Sequence, residues 1–235
     1  VKNVKAFAVA AAAIFVAGGA HAATNILVNG SFENGANGLS NWTLGGSIAG
    51  DPGFPATAIF YGNSGAYPNG AFGQAVPVDN AVSNSPDAAG KRGVYFVSDK
   101  SKPETLTQSI FLAAGRYEFG FSAYAPQNGL NNPGPATFVA SLNGALLPNP
   151  VLNIGSMTPT TWTPFSRQVV ITTAGSYDFK FEFNTNQKPS KDIVVDRAYV
   201  MAVPEPQTWM MMILGFGMVA GALRRRHAAA IAAHA

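Results

Sequence analysis

Hydrophobic residues follow two different patterns along the 235-residue chain. Between residues 24 and 200 they come in short runs that alternate with polar residues, and no window shows a good 3.6-residue period. At both ends they are continuous. Residues 176–183 are the cleanest alternating run: Tyr177, Phe179, Phe181 and Phe183 fall on one face, and Asp178, Lys180 and Glu182 on the other. Residues 116–124 repeat the scheme, with Tyr117, Phe119 and Phe121 opposite Glu118. Further strands are predicted at 25–32, from 39–42 onward, 58–61, 73–76, 93–98, 105–112, 137–142, 161–165, 167–172 and 193–200. Asn143-Gly144 is a strong hairpin signal. Residues 45–85 and 127–135, rich in Gly, Pro and Asn, read mainly as loops. Short strands punctuated by turns predict an all-β domain over 23–202, a jelly-roll-like antiparallel β-sandwich.

The continuous runs at the ends carry targeting chemistry. Lys2 and Lys5 precede an apolar stretch at 6–19 and a small-x-small site, Ala20-His21-Ala22, so residues 1–22 read as a secretory signal peptide passed to the Sec export machinery. At the other end, Val203-Pro204-Glu205-Pro206 is followed by an uncharged run from Trp209 to Leu223 and then by Arg224, Arg225 and Arg226. The two prolines forbid regular structure through the box. The apolar run is roughly 22 Å long as a helix. With Gln207, Thr208 and snorkelling arginines it makes a marginal transmembrane helix over 207–223. The arginines place the C-terminal side in the cytoplasm, with 227–235 as a cytoplasmic tail and 23–202 outside.

Residues 203–226 resemble the PEP-CTERM sorting signal, in the variant with Trp209 three residues after the second proline. The resemblance implies an exported bacterial protein handled by an exosortase, anchored in the membrane before sorting. It also implies a destination at the cell surface or in extracellular polysaccharide, the matrix of a biofilm. The tail after Arg226 is longer than the usual basic ending. The domain between the targeting segments resembles jelly-roll carbohydrate-binding modules in the order of its motifs. These are Asn29-Gly-Ser-Phe-Glu-Asn-Gly35, Asn41-Trp42, the Ala-Gly-x-Tyr turns at Gly115 and Gly175, and the closing Val195-Asp196 strand. That resemblance implies a calcium ion between the first and last strands, for which Glu33 and Asp196 are the candidate ligands.

Charge and composition narrow the remaining chemistry. The formal net charge is +3, but the excess is peripheral. Removing the two lysines of 1–22 and the three arginines of 203–235 from 15 basic residues leaves 10, and removing Glu205 from 12 acidic residues leaves 11. A near-neutral domain offers no footprint for nucleic acid. There is no cysteine, and the three histidines, His21, His227 and His234, all lie in the end segments. Thiol and Ser-His-Asp catalysis and Cys- or His-based metal sites are therefore excluded from the domain. The open hydrolytic route is a carboxylate pair in one cleft. Its acids are Glu33, Asp51, Asp79, Asp87, Asp99, Glu104, Glu118, Asp178, Glu182, Asp192 and Asp196, and no spacing singles out a pair. The expectation is a non-enzymatic surface or matrix protein that binds polysaccharide by stacking sugars on Tyr61, Tyr67, Tyr124 or Trp162. The alternative is a structural or adhesive protein that contacts other proteins.

Overall fold

The computed structural model describes residues 24–50, 52–203, 211–221 and 224. The chain divides into two compact units, one of which is Ala23–Pro204. Its described residues form ten strands: β1 Thr43–Gly46, β2 Thr57–Phe60, β3 Arg92–Phe96, β4 Glu104–Leu112, β5 Gly115–Tyr124, β6 Ala136–Leu142, β7 Ala145–Asn153, β8 Thr163–Ile171, β9 Gly175–Thr185 and β10 Ile193–Ala202. A single-turn helix, α1, spans Gln127–Leu130. The strands form two five-stranded sheets in the orders β1-β4-β9-β6-β7 and β2-β3-β10-β5-β8, with every pair antiparallel. The expected two-sheet sandwich is present.

The alternation in β9 explains how the sheets face each other. Phe179, Phe181 and Phe183 are fully buried, while Asp178, Lys180 and Glu182 face outward. Phe181 is the hub, with ring centroids of Phe179, Phe121, Phe138 and Trp42 at 5.0, 5.2, 5.4 and 6.0 Å. These edge-on and offset pairs join the two sheets through one aromatic core. Asn143 and Gly144 both have positive φ, 48° and 75°, which is the turn that matches strand twist in a two-residue hairpin between β6 and β7.

Several predicted elements are corrected. Residues 25–32 are not a strand but a series of turns. Asn29 takes a left-handed backbone, and its side-chain amide donates to the carbonyls of Gly38 and Ser40 while its oxygen accepts from Asn34 N. Those side-chain bonds offer the backbone an alternative to a ladder. The segment still lies along the last strand: Ile26 N donates to Val200 O at 2.8 Å. Residues 73–76 form only an isolated bridge between Ala71 and Gln74. The pieces 161–165 and 167–172 are one strand, β8, and β7 runs through Pro148 and Pro150, which an edge strand tolerates.

The second sheet has a covered outer face. Tyr95, Val97, Tyr124 and Val194 point away from the main core. Ala71 and Val76, with Phe54, Tyr61, Tyr67 and Ala81, lie over them and make a second hydrophobic cluster. Of the other unit, residues 211–221 are helical, and Met211, Ile213, Leu214, Phe216, Met218 and Val219 are exposed. Among the described residues no helix is long and apolar enough to cross a membrane. The signal peptide at 1–22 and positions 207–210, 222 and 223 of the expected transmembrane helix lie outside the described residues.

Candidate functional site

A cleft of about 330 Å³ opens where β3 ends and β10 begins. Its lining includes Phe54, Phe72 and Val97 on an apolar side, with Asp99, Asn128, Asn132, Lys188 and Asp192 supplying polar groups. Phe72 is 42% exposed and has φ of 46°, a left-handed backbone that a bulky residue rarely adopts. Its ring is nearly parallel to Tyr67, with an interplanar angle of 18° at 6.3 Å, and lies 5.9 Å from Phe54 and 6.4 Å from Tyr95. Asn128 fixes this loop: its side chain donates to Phe72 O at 3.1 Å, and its backbone N donates to Gln74 Oε1 at 2.9 Å.

The polar side is equally well held. Asp192 is 4% exposed and accepts a very short hydrogen bond from the Tyr95 hydroxyl. A Cβ on Gly129 would sit 2.6 Å from its Oδ2, so the glycine of α1 lets the helix close against the carboxyl. Burial pushes Asp192 up from 3.8 to about 7; the Tyr95 hydroxyl works against that rise, and the charge of Asp99 adds to it. Asp99 accepts from Ser190 N at 2.6 Å, and Asn132 donates to Ser190 O at 2.6 Å. Lys191 Nζ donates to Leu130 O at 2.9 Å. The cleft thus joins an exposed aromatic wall to carboxyl and amide groups whose frames are already bonded in place, an arrangement suited to a flat, hydroxyl-rich ligand.

The structure gathers all four predicted aromatics, Tyr61, Tyr67, Tyr124 and Trp162, in the second hydrophobic cluster. Tyr124 and Trp162 are buried, with rings 5.3 Å apart, and Trp162 donates its indole N–H to Pro77 O. Neither offers a free ring face. Tyr67 donates its hydroxyl to Pro55 O at 2.7 Å and backs Phe72. The exposed ring in this cleft is instead Phe72, which sequence reasoning missed. The available signal was one more aromatic, between Ala71 and Gly73, in the loop that also holds Tyr61 and Tyr67.

Glu33 and Asp196 are engaged by protein donors. Glu33 Oε1 accepts from Lys91 N and Arg92 N at 2.7 and 2.8 Å. Asp196 is fully buried; its Oδ2 accepts from the Tyr61 hydroxyl at 2.5 Å and its Oδ1 from Arg197 N at 2.6 Å. Burial holds its carboxyl well above the usual carboxylate range. The Arg197 side chain reaches Asp79 at 2.5 Å and Ala81 O at 2.7 Å. Among the described residues no group of three or more His, Cys, Asp or Glu is placed to hold a metal. Asp196 and Arg197 buckle the loop over 61–91 onto β10 through Tyr61 and Asp79, and Glu33 ties its turn to the start of β3.

The sandwich ends where the sorting residues begin. Val203 N donates to Arg116 O at 2.9 Å. Arg224 is helical, while Pro204, Glu205, Pro206, Trp209, Arg225 and Arg226 lie outside the described residues. No curated protein matches the chain. Among solved structures it is similar to TmCBM61 in complex with β-1,4-galactotriose, at 16% identity over 77% of this chain and 99% of that one, with a TM-score of 0.49. The CBM22-1 xylan-binding domain from Paenibacillus barcinonensis Xyn10C aligns at 11% identity, 78% and 97% coverage and a TM-score of 0.42. A cyclase from Fischerella sp. TAU aligns at 13% identity, 78% and 98% coverage and 0.49. At such identities and scores these likenesses assign no ligand to this chain. The C-terminal segment is different in kind: residues 202–226 match the PEP-CTERM protein-sorting motif, and the chain carries that sorting signal.

Proposed function

We propose that this is an exported, non-enzymatic surface or matrix protein that binds polysaccharide in the cleft beside Phe72. The observation that carries the reading is the pairing, in one cleft, of an exposed phenylalanine wall with Asp99, Asn128, Asn132 and Asp192. A pyranose has one apolar face to stack and a rim of hydroxyls to satisfy, and this lining answers both needs. The sorting signal supports the location. In this reading residues 1–22 pass the chain to the Sec machinery. The helix over 207–223 holds it in the membrane, and an exosortase then processes it near Pro204-Glu205-Pro206. Asp99 and Asp192 share the cleft that a glycosidase would need. We read them as binding groups because each carboxylate already accepts a hydrogen bond from within the domain.

Calorimetry of the full chain in mild detergent tests this, with oligosaccharides cut from the producing bacterium's extracellular polysaccharide as the probe. Saturable binding is expected, weakened about tenfold by Phe72→Ala, with no release of reducing ends. Absence of heat from folded protein refutes the reading, and release of reducing ends that Asp192→Asn abolishes turns it into a glycosidase. The second reading is an adhesive or structural protein. It is favoured by the polar outer face of the first sheet, where Thr105, Thr107, Ser109, Asp178 and Glu182 face outward.

A further inference from the structure

We infer a second saccharide-binding groove on the opposite sheet, which makes the domain bivalent; this rests on the polysaccharide reading of the first cleft. β1 covers only Glu104–Thr107 of its neighbour, so β4 continues past it with one edge open. A groove of about 300 Å³ lies there, between Phe111 and Ser109 on one side and Val28, Asn41 and Thr43 on the other. Phe111 is 69% exposed, more than any other large hydrophobic side chain of the sandwich except Val82. Its neighbours on the same face of the strand are Ser109 and Thr107, at successive steps of about 6.6 Å.

Three observations point to a neutral sugar. The groove is lined by no charged residue, which leaves nothing to hold a phosphate or carboxylate. Asn41, Thr43, Thr107 and Ser109 line it with hydroxyl and amide groups, the donors and acceptors that a sugar's hydroxyls need. The frame is nevertheless rigid. Gln108 clamps Val28 with both ends of its amide, accepting from Val28 N at 2.7 Å and donating to Val28 O at 2.8 Å. An exposed aromatic ring beside hydroxyl and amide groups is the same recognition chemistry as at Phe72, without the carboxyls.

Position gives the second groove its meaning. Glu104, at the start of β4, accepts from Ala56 N beside the Phe54 wall of the first cleft. Phe111 lies seven residues further along the strand, on the order of 23 Å away. One sugar cannot fill both sites, so a domain with both bridges two stretches of polysaccharide and cross-links the polymer.

The test uses the full chain with the same oligosaccharides for stoichiometry, and the intact polysaccharide for clustering followed by light scattering. Wild type is expected to bind two equivalents and to cluster the polymer. Phe111→Ala, and separately the pair Asn41→Ala and Thr43→Ala, should remove one equivalent and abolish clustering. The affinity of the remaining site should stay within about twofold, since distant sites act independently. Phe72→Ala should remove the other equivalent. One equivalent in wild type, or wild-type clustering by Phe111→Ala, overturns the second groove and leaves the first cleft standing. No saccharide binding by folded wild type overturns both.

Discussion

Replacing Asp192 by Asn should change the pH dependence of stability in one direction. In the folded chain, burial lifts this carboxyl from 3.8 to about 7, whereas the unfolded chain keeps the ordinary value. Between those values the folded state holds a proton that the unfolded state has lost. The stability associated with that proton is complete below pH 3.8 and declines as pH rises, until the folded carboxyl ionises near 7. At about 1.36 kcal/mol per pH unit the whole interval is worth about 4 kcal/mol. Asn keeps the size and accepts the Tyr95 hydroxyl without ever having to ionise. The variant should therefore match wild type near pH 4 and exceed it by up to about 4 kcal/mol at pH 8. Burial also raises Glu104 to about 7 and lifts Asp196, so both proteins lose stability as pH rises and only their difference is diagnostic. Urea denaturation of the full chain, followed by tryptophan fluorescence from buried Trp42 and Trp162, reads that difference. Parallel pH profiles for the two proteins would falsify the assignment of Asp192 as a buried, proton-holding acid.

Three further outcomes follow from the packing. Phe181→Ala removes the ring at the centre of five aromatic contacts across both sheets and should cost about 3–5 kcal/mol in the same denaturation assay; a loss below 1 kcal/mol would mean the core is not joined there. Tyr61→Phe leaves buried Asp196 without its hydroxyl donor and should cost about 1–3 kcal/mol, with faster proteolysis in 61–91; unchanged cleavage would refute the buckle. Saturating chelator should leave the thermal midpoint unchanged, and a fall of several degrees that Glu33→Gln and Asp196→Asn abolish would place calcium between those residues.

What was legible in the sequence was whatever a local period records. Tyr177 to Phe183 could satisfy only one geometry, and Asn143-Gly144 demanded its hairpin, so β9 and the β6–β7 turn were readable directly. Residues 25–32 looked like a strand because Ile26, Leu27 and Val28 are apolar. The deciding interactions are the side-chain bonds of Asn25 and Asn29, which reach Ala198, Gly38 and Ser40. β7 was hidden by Pro148 and Pro150, whose missing donors matter little at a sheet edge. The candidate site was less readable for the same reason. Aromatics could be picked out, but whether a ring is a platform or a floor depends on which loop covers which sheet, and that is a long-range fact. Asp192 carried a faint signal, an acid directly before Ile193-Val194-Val195, where an exposed residue would be out of place.

The route of the last strand has a mechanical consequence. β10 is hydrogen-bonded on both sides, to β3 and β5, and its final residues lead straight into the sorting signal at Val203. The Phe72 cleft sits at the opposite end of that strand, beside Asp192. On the proposed reading, with the C-terminal end held and polymer bound in this cleft, tension runs along the axis of β10. The ladders on either side are then loaded in shear, sharing the force across many bonds at once, rather than being peeled open one bond at a time. A central strand between the proposed tether and the proposed ligand would keep the domain folded under a load that could strip an edge strand away.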